Sequence, residues 1–389
     1  MKKLLLFIFL SCFAWSMAAQ KEFHLSHGPY LQEVTGDGAT VVFLTSGNSF
    51  SCVQLKPHGA DDNLAVSCYS TKNGLKEAFN TFNAIRLENL TPGNRYDYRI
   101  VSKEMLSFQP YKIIYGDSIT SQWYTFSTVS PQKKGASIFI TSDMHNDSGK
   151  LEKLLNLADY KTCDVFLYAG DMLSYIDNAE EPFHAFIDTS VKLFASSIPF
   201  EGVRGNHETR GCLARNYPSY FPKQDGKIYG SYLLGDVMIV MLDSGEDKAD
   251  NHKVYAGLTD FDSYRTEQVE WLKALIKTKE YKKAKYRIVV SHFPLIMDEK
   301  YKSEKTWSGW EDAIRKFLPV LNNANVDLLV SGHTHRFAYH KSGSEGNTFP
   351  ILEEGAVCAT RLELHDGKIH LKVIDTEGKI LMNSEVTKK

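Results

Sequence analysis

Near its C-terminal end the chain contains the segment Val326-Asp327-Leu328-Leu329-Val330-Ser331-Gly332-His333-Thr334-His335. Its apolar residues predict a buried strand, which stops at a glycine followed by two histidines one residue apart. Because alternate side chains of an extended backbone share a face, we expect His333 and His335 to point into one site. A single Gly-His-x-His motif is weak evidence, since surface histidines also occur at this spacing.

Four earlier apolar segments also end on potential ligands. They are followed by Asp143 and His145, by Asp171, by Asn206 and His207, and by His292. Amphipathic helical patterns separate these segments, which predicts a largely parallel α/β core. Ligands of such sheets bind at the carboxyl ends of the strands, so we expect all of these side chains to meet at one edge.

The same patterns predict the surrounding elements. Apolar residues at helical spacing indicate helices over 151–158 and from about Thr266. A third helix is predicted to open with a capping box formed by Ser308 and Glu311. Residues 359–386 alternate apolar and polar side chains around an Asp-Gly and a Glu-Gly pair, which indicates two closing hairpins.

The types of the clustered residues indicate what the site binds. Imidazole and carboxylate ligands without a thiolate suit divalent metals such as zinc, iron, manganese or cobalt. Seven candidate ligands are too many for one ion. They fit two ions about 3.5–4 Å apart that share a bridging carboxylate.

The motifs, taken in order, resemble the calcineurin-like metallophosphoesterase superfamily: Asp-x-His, Gly-Asp, Gly-Asn-His-Glu, a solitary His after a strand, and Gly-His-x-His. The resemblance covers about Ala136 to Val386. Together with the β-rich segment in front, it makes the chain similar to purple-acid-phosphatase-like enzymes. It implies an α/β fold with a β-sandwich core flanked by helices in α/β/β/α layers. It also implies two bound metal ions drawn from iron, zinc or manganese.

Carried over to this chain, the resemblance implies three ligands for a first metal, three for a second, and one bridging residue: Asp143, His145 and His335; Asn206, His292 and His333; and Asp171. A bridging hydroxide would attack phosphorus in line with the leaving oxygen. His207 directly follows the expected ligand Asn206, so its side chain points in a different direction and its imidazole is not used for metal binding. The resemblance implies that this imidazole stabilises developing charge or protonates the leaving alkoxide. The expected catalytic residues are therefore His207 and Asp171.

Each ligand position also has an ordinary structural interpretation. Asp143 and Asp171 can be helix N-caps that follow strands. Asn206 can favour a left-handed turn after a glycine. His207 can be a structural hydrogen-bonding group, and His292 can simply fill the turn before Phe-Pro.

Several other side chains near the motifs can contact substrate or can pack. Arg204, Arg210 and Tyr175 are candidates for phosphate or substrate contacts, and a packing or surface role fits them equally well. Aromatic residues in the loops can stack on an aryl or nucleoside leaving group, or can serve packing alone: Tyr255, Tyr264, Trp307 and Trp310.

Two features depart from the purple enzymes that the chain resembles. Those enzymes carry Gly-Asp-x-x-Tyr, whereas Tyr175 stands one residue too late and His145 occupies the position that replaces the tyrosine in non-purple relatives. We therefore predict no tyrosinate–iron colour. The plant enzymes also carry phosphate-gripping histidines after the solitary histidine, but residues 297–302 contain none. Acidic pH preference and monoester selectivity therefore stay open.

The N-terminal residues predict export. Lys2 and Lys3 precede a short apolar run, and Ala18 and Ala19 offer a cleavage site, so residues 1–19 are predicted to be a signal peptide. The run is too short for a spanning helix. We expect a periplasmic or extracellular protein with no transmembrane span in the mature chain; lipid anchoring at Cys12 is the alternative.

Residues 20–130 contain short β-branched and aromatic segments separated by turn residues, which predicts a small β-sandwich. Leu-Thr-Pro-Gly-Asn-Arg-Tyr ending at Tyr96 resembles the corner of fibronectin type III domains, where a tyrosine bonds back across the turn. A polar linker over 130–135 separates this domain from the predicted phosphoesterase domain at 136–389.

Composition excludes several classes of protein. The 389 residues are 43% hydrophobic and 24% charged, as in globular proteins. Removal of the predicted signal leaves 43 basic and 47 acidic residues with no long basic run, so we expect no stable nucleic-acid partner. The cysteines lack Cys-x-x-Cys spacing. Cys52 and Cys68 can pair in an oxidising compartment.

The leading hypothesis is therefore an exported dinuclear-metal phosphoesterase acting on a small phosphate ester, with an acid-phosphatase-like monoesterase favoured. A phosphodiesterase or nucleotide hydrolase on the same site is the alternative. A non-catalytic binding or adhesion protein is a third reading, which the filled ligand positions disfavour. Nuclease action on long polymers is disfavoured by the acidic balance. The metal pair and the oligomeric state stay open.

Overall fold

The computed structural model describes residues 22–302 and 305–387. The predicted signal at residues 1–19 and Cys12 lie outside the described residues. Within the described part, each helix is either too short or too polar to cross a membrane. The five cysteines described are free thiols, and Cys52 and Cys68 are among them.

The N-terminal region is an antiparallel β-sandwich, as predicted. Its strands are β1 (Leu25–Gln32), β2 (Ala39–Pro57), β3 (Val66–Cys68), β4 (Thr71–Lys72), β5 (Leu75–Lys76), β6 (Asn80–Leu87), β7 (Arg95–Gln109), β8 (Lys112–Thr120) and β9 (Tyr124–Ser127). The first part of β2 pairs with β1 and β6, and its second part pairs with β7. This long strand therefore belongs to both layers, and Val41, Tyr98 and Ile100 pack between them.

The predicted tyrosine corner is confirmed. The backbone amide of Thr91 donates to the Tyr96 hydroxyl over 2.9 Å. Tyr96 is buried and stacks on Phe126. The hydroxyl thus satisfies a turn amide while the ring fills the sandwich core, which is a structural role.

Buried hydrogen bonds attach the sandwich to the rest of the chain through β1. The Tyr30 hydroxyl donates to the Tyr220 carbonyl over 3.0 Å, and the Gln32 amide donates to the Phe200 carbonyl over 2.6 Å. In the opposite direction the Tyr232 hydroxyl donates to the carbonyl of residue 34 over 2.6 Å. All three donor side chains are buried. Buried hydrogen bonds therefore join the two regions directly.

Two mixed sheets form the second region. Its strands are β10 (Ala136–Thr141), β11 (Val165–Tyr168), β12 (Phe200–Gly202), β13 (Gly230–Leu234), β14 (Val237–Leu242), β15 (Tyr286–Ser291), β16 (Leu328–Ser331), β17 (Ala338–His340), β18 (Ile351–Glu353), β19 (Cys358–His365), β20 (Lys368–Asp375) and β21 (Ile380–Thr387). The strand orders are β12-β11-β10-β19-β20-β21 and β13-β14-β15-β16-β18-β17. The predicted closing hairpins are present as β19, β20 and β21.

The helices lie on the outer faces of the two sheets. They are α1 (Ser148–Leu157), α2 (Asp188–Ser190), α3 (Tyr217–Tyr220), α4 (Phe261–Leu275), α5 (Lys279–Lys283), α6 (Glu299–Lys302) and α7 (Ser308–Leu321), and π-helical turns at Phe183–Ile187 and Val191–Ala195 flank α2. Alternation along each strand separates the layers: Ile138 and Ile140 pack between the sheets, whereas Phe139 packs under α1. The predicted α/β/β/α layering is therefore confirmed.

The expectation of a largely parallel core is only half right. The pairs β10–β11, β11–β12, β14–β15, β15–β16 and β16–β18 are parallel. The closing hairpins add antiparallel pairs, because β19 runs beside β10 in the opposite direction. The parallel strands still deliver their carboxyl ends to one edge.

The predicted capping box is wrong. Helix α7 begins at Ser308, and no side chain caps it. The amides of Gly309 and Trp310 instead donate to the Asp247 carbonyl over 2.9 and 3.1 Å. A distant carbonyl thus satisfies the first turn, which local sequence spacing does not reveal.

Candidate metal centre

The predicted ligands converge at the carboxyl ends of β10, β11, β12, β15 and β16. Asp143, Asp171, Asn206 and His292 are buried, whereas the side chain of His335 is 51% exposed. The structure thus brings together every residue that the motifs singled out. Six of them form two groups that share Asp171, and Asn206 and His207 lie beside these groups.

The more open group contains Asp143, His145, Asp171 and His335, which offer ligand atoms within 4.8 Å of one another. His335 Nε2 lies 3.2 Å from Asp143 Oδ1. His145 Nε2 lies 3.1 Å from His335 Nε2 and 4.0 Å from Asp171 Oδ2. Two unprotonated imidazole nitrogens repel each other at this distance, but both can bind one cation.

The buried group contains Asp171, His292 and His333, again with ligand atoms within 4.8 Å. His292 Nε2 lies 3.2 Å from Asp171 Oδ2 and 3.1 Å from Asn206 Oδ1. Its Nδ1 lies 2.9 Å from the Ala169 carbonyl. Because a carbonyl can only accept, Nδ1 carries the proton and Nε2 faces the site, as in metal-binding histidines.

The donor set fits two divalent ions. It consists of nitrogen and oxygen atoms without a thiolate, which suits borderline metals. Asp171 belongs to both groups, so its carboxylate is placed to bridge. The buried carboxylates would otherwise carry charge into the core without full compensation.

The backbone reaches this geometry through left-handed conformations and not by strand alternation. The φ angles are 56° at Asp143, 51° at Asp171, 73° at His333 and 53° at His335. Strand β16 ends at Ser331, before both histidines. The prediction that strand alternation directs His333 and His335 into the site is therefore wrong, because left-handed loop conformations orient them instead. Such conformations cost about 1–3 kcal/mol each and concentrate at functional sites.

Two glycines allow the loops to approach this closely. A Cβ at Gly332 would collide with the carboxylate of Asp143 and with Ser142, and one at Gly205 would collide with Asp171. The close approach of the two loops also lets the backbone amide of His333 donate to Asp143 Oδ2 over 3.0 Å. Glycine is therefore required where ligand loops touch.

Charge interactions shift the pKa values inside the buried group. Burial alone would lower the pKa of His292, but the Asp171 carboxylate raises it to about 10. Burial would raise the pKa of Asp171, yet His292 holds it well below its usual range. Desolvation and the charge of His292 lower the pKa of His333 to about 4. Without metal, one proton thus stays between Asp171 and His292.

His207 stands beside the ligands at the mouth of the site. Its Nδ1 lies 2.9 Å from the Ser174 carbonyl, so Nδ1 carries a proton. Its Nε2 accepts from Arg210 Nη1 over 2.9 Å and lies 3.9 Å from Asp171 Oδ2. The imidazole is oriented towards the reacting groups without belonging to either ligand group.

Glu208 is a residue of the candidate site that sequence reasoning missed. This buried carboxylate accepts from the amides of Asp171 (2.9 Å), Leu173 (3.0 Å) and Gly205 (2.8 Å). Burial and the Asp171 charge raise its pKa to about 7. It ties two ligand loops together, and its presence in Gly-Asn-His-Glu was the available signal.

A cavity of about 280 Å³ opens over the ligands. Arg210, Lys248, Tyr301, Trp307 and Trp310 are among the residues that line it. The rings of Trp310 and His333 meet edge to face at 4.9 Å, and the Trp310 indole donates to a backbone carbonyl. One wall of the cavity is thus aromatic. Arg210 and Lys248 bring positive charge to the lining, and Lys248 pairs with Asp247, which also lines the cavity.

Some of the side chains proposed as substrate contacts line the cavity, and others pack within the protein. Arg210 lies in the cavity, whereas Arg204 pairs with the buried Asp243 over 2.8 Å and stacks on Tyr264. Tyr255 donates to Glu246 over 2.8 Å. Arg204, Tyr255 and Tyr264 are therefore packing residues in this structure.

The local geometry of the candidate ligands differs from the structural alternatives considered for them. Helix α1 is capped by Asp147, and neither Asp143 nor Asp171 caps a helix. Asn206 has φ −71° and ψ −24°, so it does not occupy a left-handed turn. His292 faces the other ligands and does not merely fill a turn.

Comparison with known proteins adds to this geometry. A family described as calcineurin-like phosphoesterase matches residues 136–337. Purple acid phosphatase 22 of Arabidopsis thaliana is 30% identical over 196 residues, which cover 48% of this chain and 41% of that protein. Purple acid phosphatase 21 of the same plant is 27% identical over 191 residues, 46% of this chain and 39% of that protein. The matches thus span less than half of these relatives.

Two solved structures share the fold over nearly the whole chain. The purple acid phosphatase PPD1 from yellow lupin (Lupinus luteus) seeds superposes with a TM-score of 0.68 at 14% identity, covering 92% of this chain and 74% of that one. A structure of PhoD superposes with a TM-score of 0.60 at 11% identity, covering 94% and 90%. At these identities the likeness concerns the fold alone.

Proposed function

Because the chain belongs to the calcineurin-like phosphoesterase family, we propose that this metal-dependent phosphoesterase is an exported phosphomonoesterase. One observation carries the proposal: Asp171 is shared by two ligand groups beneath a small cavity whose lining includes Arg210 and Lys248. A cavity of about 280 Å³ lies just below the usual range of about 300–1,000 Å³ for ligand sites, which favours a small ester over a polymer.

The proposed ligand assignment follows the two groups. Asp143, His145 and His335 would hold one ion, and Asn206, His292 and His333 would hold the other. Asp171, which belongs to both groups, would be shared between them. When bound, two such ions lower the pKa of a water and neutralise charge on the phosphoryl group.

His207 is proposed to protonate the leaving group. In the resting state its Nε2 is an acceptor for Arg210, so the imidazole is neutral. Once protonated at Nε2, the same atom can donate to the departing oxygen while Nδ1 stays bonded to Ser174. Nη1 of Arg210 must then donate to another acceptor in place of His207.

Arg210 is proposed to take phosphate oxygens as that acceptor. The buried Glu246 holds its guanidinium through Nε at 3.3 Å and Nη2 at 3.4 Å, which leaves Nη1 pointing at the site. Thr209 and Tyr255 donate to the same carboxylate over 2.6 and 2.8 Å, so the anchor is rigid. A guanidinium fixed in this way is preorganised to donate from Nη1 to a phosphate oxygen.

Phosphodiester hydrolysis is the second candidate. The half-exposed His335 leaves one side of the site open to a second ester substituent, and the aromatic wall can stack on it. A non-catalytic binding protein is the remaining alternative.

The test is turnover of p-nitrophenyl phosphate against bis-p-nitrophenyl phosphate by protein reconstituted with manganese or zinc, with Asp171→Asn as control. We expect the monoester to have the higher kcat/KM and the variant to lose it. A higher kcat/KM for the diester would overturn the monoesterase proposal. Absence of both activities, with less than one ion bound per chain, would favour the binding protein.

Export is tested separately. We expect the intact mass of secreted protein to start at Gln20, as the small residues before it predict. A mass with a lipid on Cys12 would instead identify an anchored protein, and a retained residue 1 would contradict export.

A further inference from the structure

A second cluster of potential ligands lies where the sandwich meets the second region. His27 on β1 faces Glu180, His184 and Asp188, which belong to or immediately precede the helical segment 181–195. Their spacing of four residues places these three on one side of that segment. None of these residues contributes to the candidate metal centre.

The distances are those of a cation site. His27 Nε2 lies 2.6 Å from Glu180 Oε2, and the rings of His27 and His184 meet with centroids 5.9 Å apart. One ligand atom from each of His27, Glu180 and His184 falls within 4.8 Å of the others. Small rotations of side chains suffice to bring the three around one ion.

Asp188 and Phe183 orient the His27 imidazole. Both oxygens of Asp188 lie close to Nδ1, at 2.9 and 3.1 Å. A carboxylate only accepts, so Nδ1 carries a proton. Nε2 shares a second proton with Glu180, and loss of that proton gives Nε2 the lone pair that a cation needs. Phe183 stacks on the ring with centroids 4.3 Å apart. Metal-binding histidines are held by this kind of carboxylate partner.

The charge of the cluster matches a divalent ion. With both histidines neutral, Glu180 and Asp188 give the cluster two negative charges. In the metal-free state a proton between His27 and Glu180 compensates part of this charge. A divalent ion in place of that proton cancels both negative charges, and a water can complete tetrahedral coordination.

We propose that this cluster binds a third divalent ion, with zinc favoured by its ligand types, through His27, Glu180 and His184, while Asp188 holds His27. The ion joins a strand of the sandwich to a helix of the phosphoesterase region. It therefore clamps the two regions together at a distance from the chemistry.

The test uses zinc alone as the probe. Chelator-stripped full-length chain is titrated with zinc and the bound ions are counted by elemental analysis after gel filtration, for wild type, His184→Gln and Glu180→Gln. His184 is exposed, so its replacement leaves the fold intact. The exposed His365, outside both clusters, supplies the matched control His365→Gln.

We expect each cluster variant to bind one zinc ion fewer per chain than wild type and the control, and to show a smaller zinc-induced rise in Tm. The relevant quantity is the difference of one ion, so it holds whatever number binds at the catalytic centre. Equal counts and equal Tm shifts in wild type and His184→Gln would overturn the proposal.

Discussion

The two halves of the candidate metal centre are built differently. His292 is fully buried and follows directly on strand β15, whereas the side chain of His335 is 51% exposed and follows a left-handed loop. The buried half is preorganised by the sheets. The open half depends on loops that touch at glycines. We infer that an ion bound in the buried half would exchange slowly, and that an ion bound in the open half would be the more easily lost.

The residue that joins the halves gives the largest expected effect. Asp171→Asn keeps the size of the side chain but removes the shared charge. We expect kcat/KM to fall by about 10³-fold, which corresponds to roughly 4 kcal/mol of transition-state stabilisation. Metal content should fall in both halves. Retention of two ions at wild-type affinity would show that Asp171 does not bridge.

Paired ligand variants test the contrast between the halves. His292→Gln removes a buried candidate ligand, so we expect activity to fall by about 100-fold or more. Even the loss of a residue that only hydrogen-bonds to a metal ligand typically lowers activity by about 10–100-fold. His335→Gln should cost about tenfold, and excess manganese should restore part of it. Equal losses without rescue in both variants would remove the distinction. Ion counts and kcat/KM at several metal concentrations provide the measurement.

The substrate side of the open half should respond to Arg210. Arg210→Gln removes the proposed phosphate contact, so we expect KM to rise about tenfold, the scale of one charge-assisted hydrogen bond. The change in kcat should be smaller. Arg204→Gln is the matched control, because it should lower Tm without changing KM. An unchanged KM in Arg210→Gln would show that Arg210 has a structural role and does not contact the substrate.

The buried half also predicts a pH dependence for the metal-free protein. The pKa of His292 is raised from 6.5 to about 10, so its contribution to stability is complete below pH 6.5 and is lost as pH rises towards 10. The pKa of His333 is lowered to about 4, so stability is also lost as pH falls below 6.5. We expect the Tm of stripped protein to peak near pH 6.5. A Tm that rises steadily to pH 9 would contradict the His292 prediction.

The smallest expected effect concerns Tyr175. This side chain is 51% exposed, and none of the described metal groups includes it. Tyr175→Phe should therefore leave activity within about twofold and the visible spectrum of the iron-loaded protein unchanged. A visible band lost in the variant would show that the tyrosine binds iron.

The sequence predicted what depends on residue type and strand order. Ligand clusters after successive strands, the tyrosine corner at Tyr96 and the closing hairpins all follow local rules. It did not predict contacts between distant segments. The carbonyl that begins α7 comes from Asp247, Glu208 bonds three amides, and His27 meets a helix that starts more than 150 residues later. The left-handed conformation of His333 was also not predicted, because it depends on contacts with the neighbouring loop.

The hydrogen bonds from Tyr30 and Gln32 have a practical consequence for anyone who trims the chain. Both donors are supplied by β1, and both acceptors belong to the phosphoesterase region. A shortened protein starting at Ala136 would expose those carbonyls together with the aromatic surface that Tyr30 covers. We expect such a fragment to precipitate. The strands of the N-terminal sandwich are therefore required for the solubility of the phosphoesterase region.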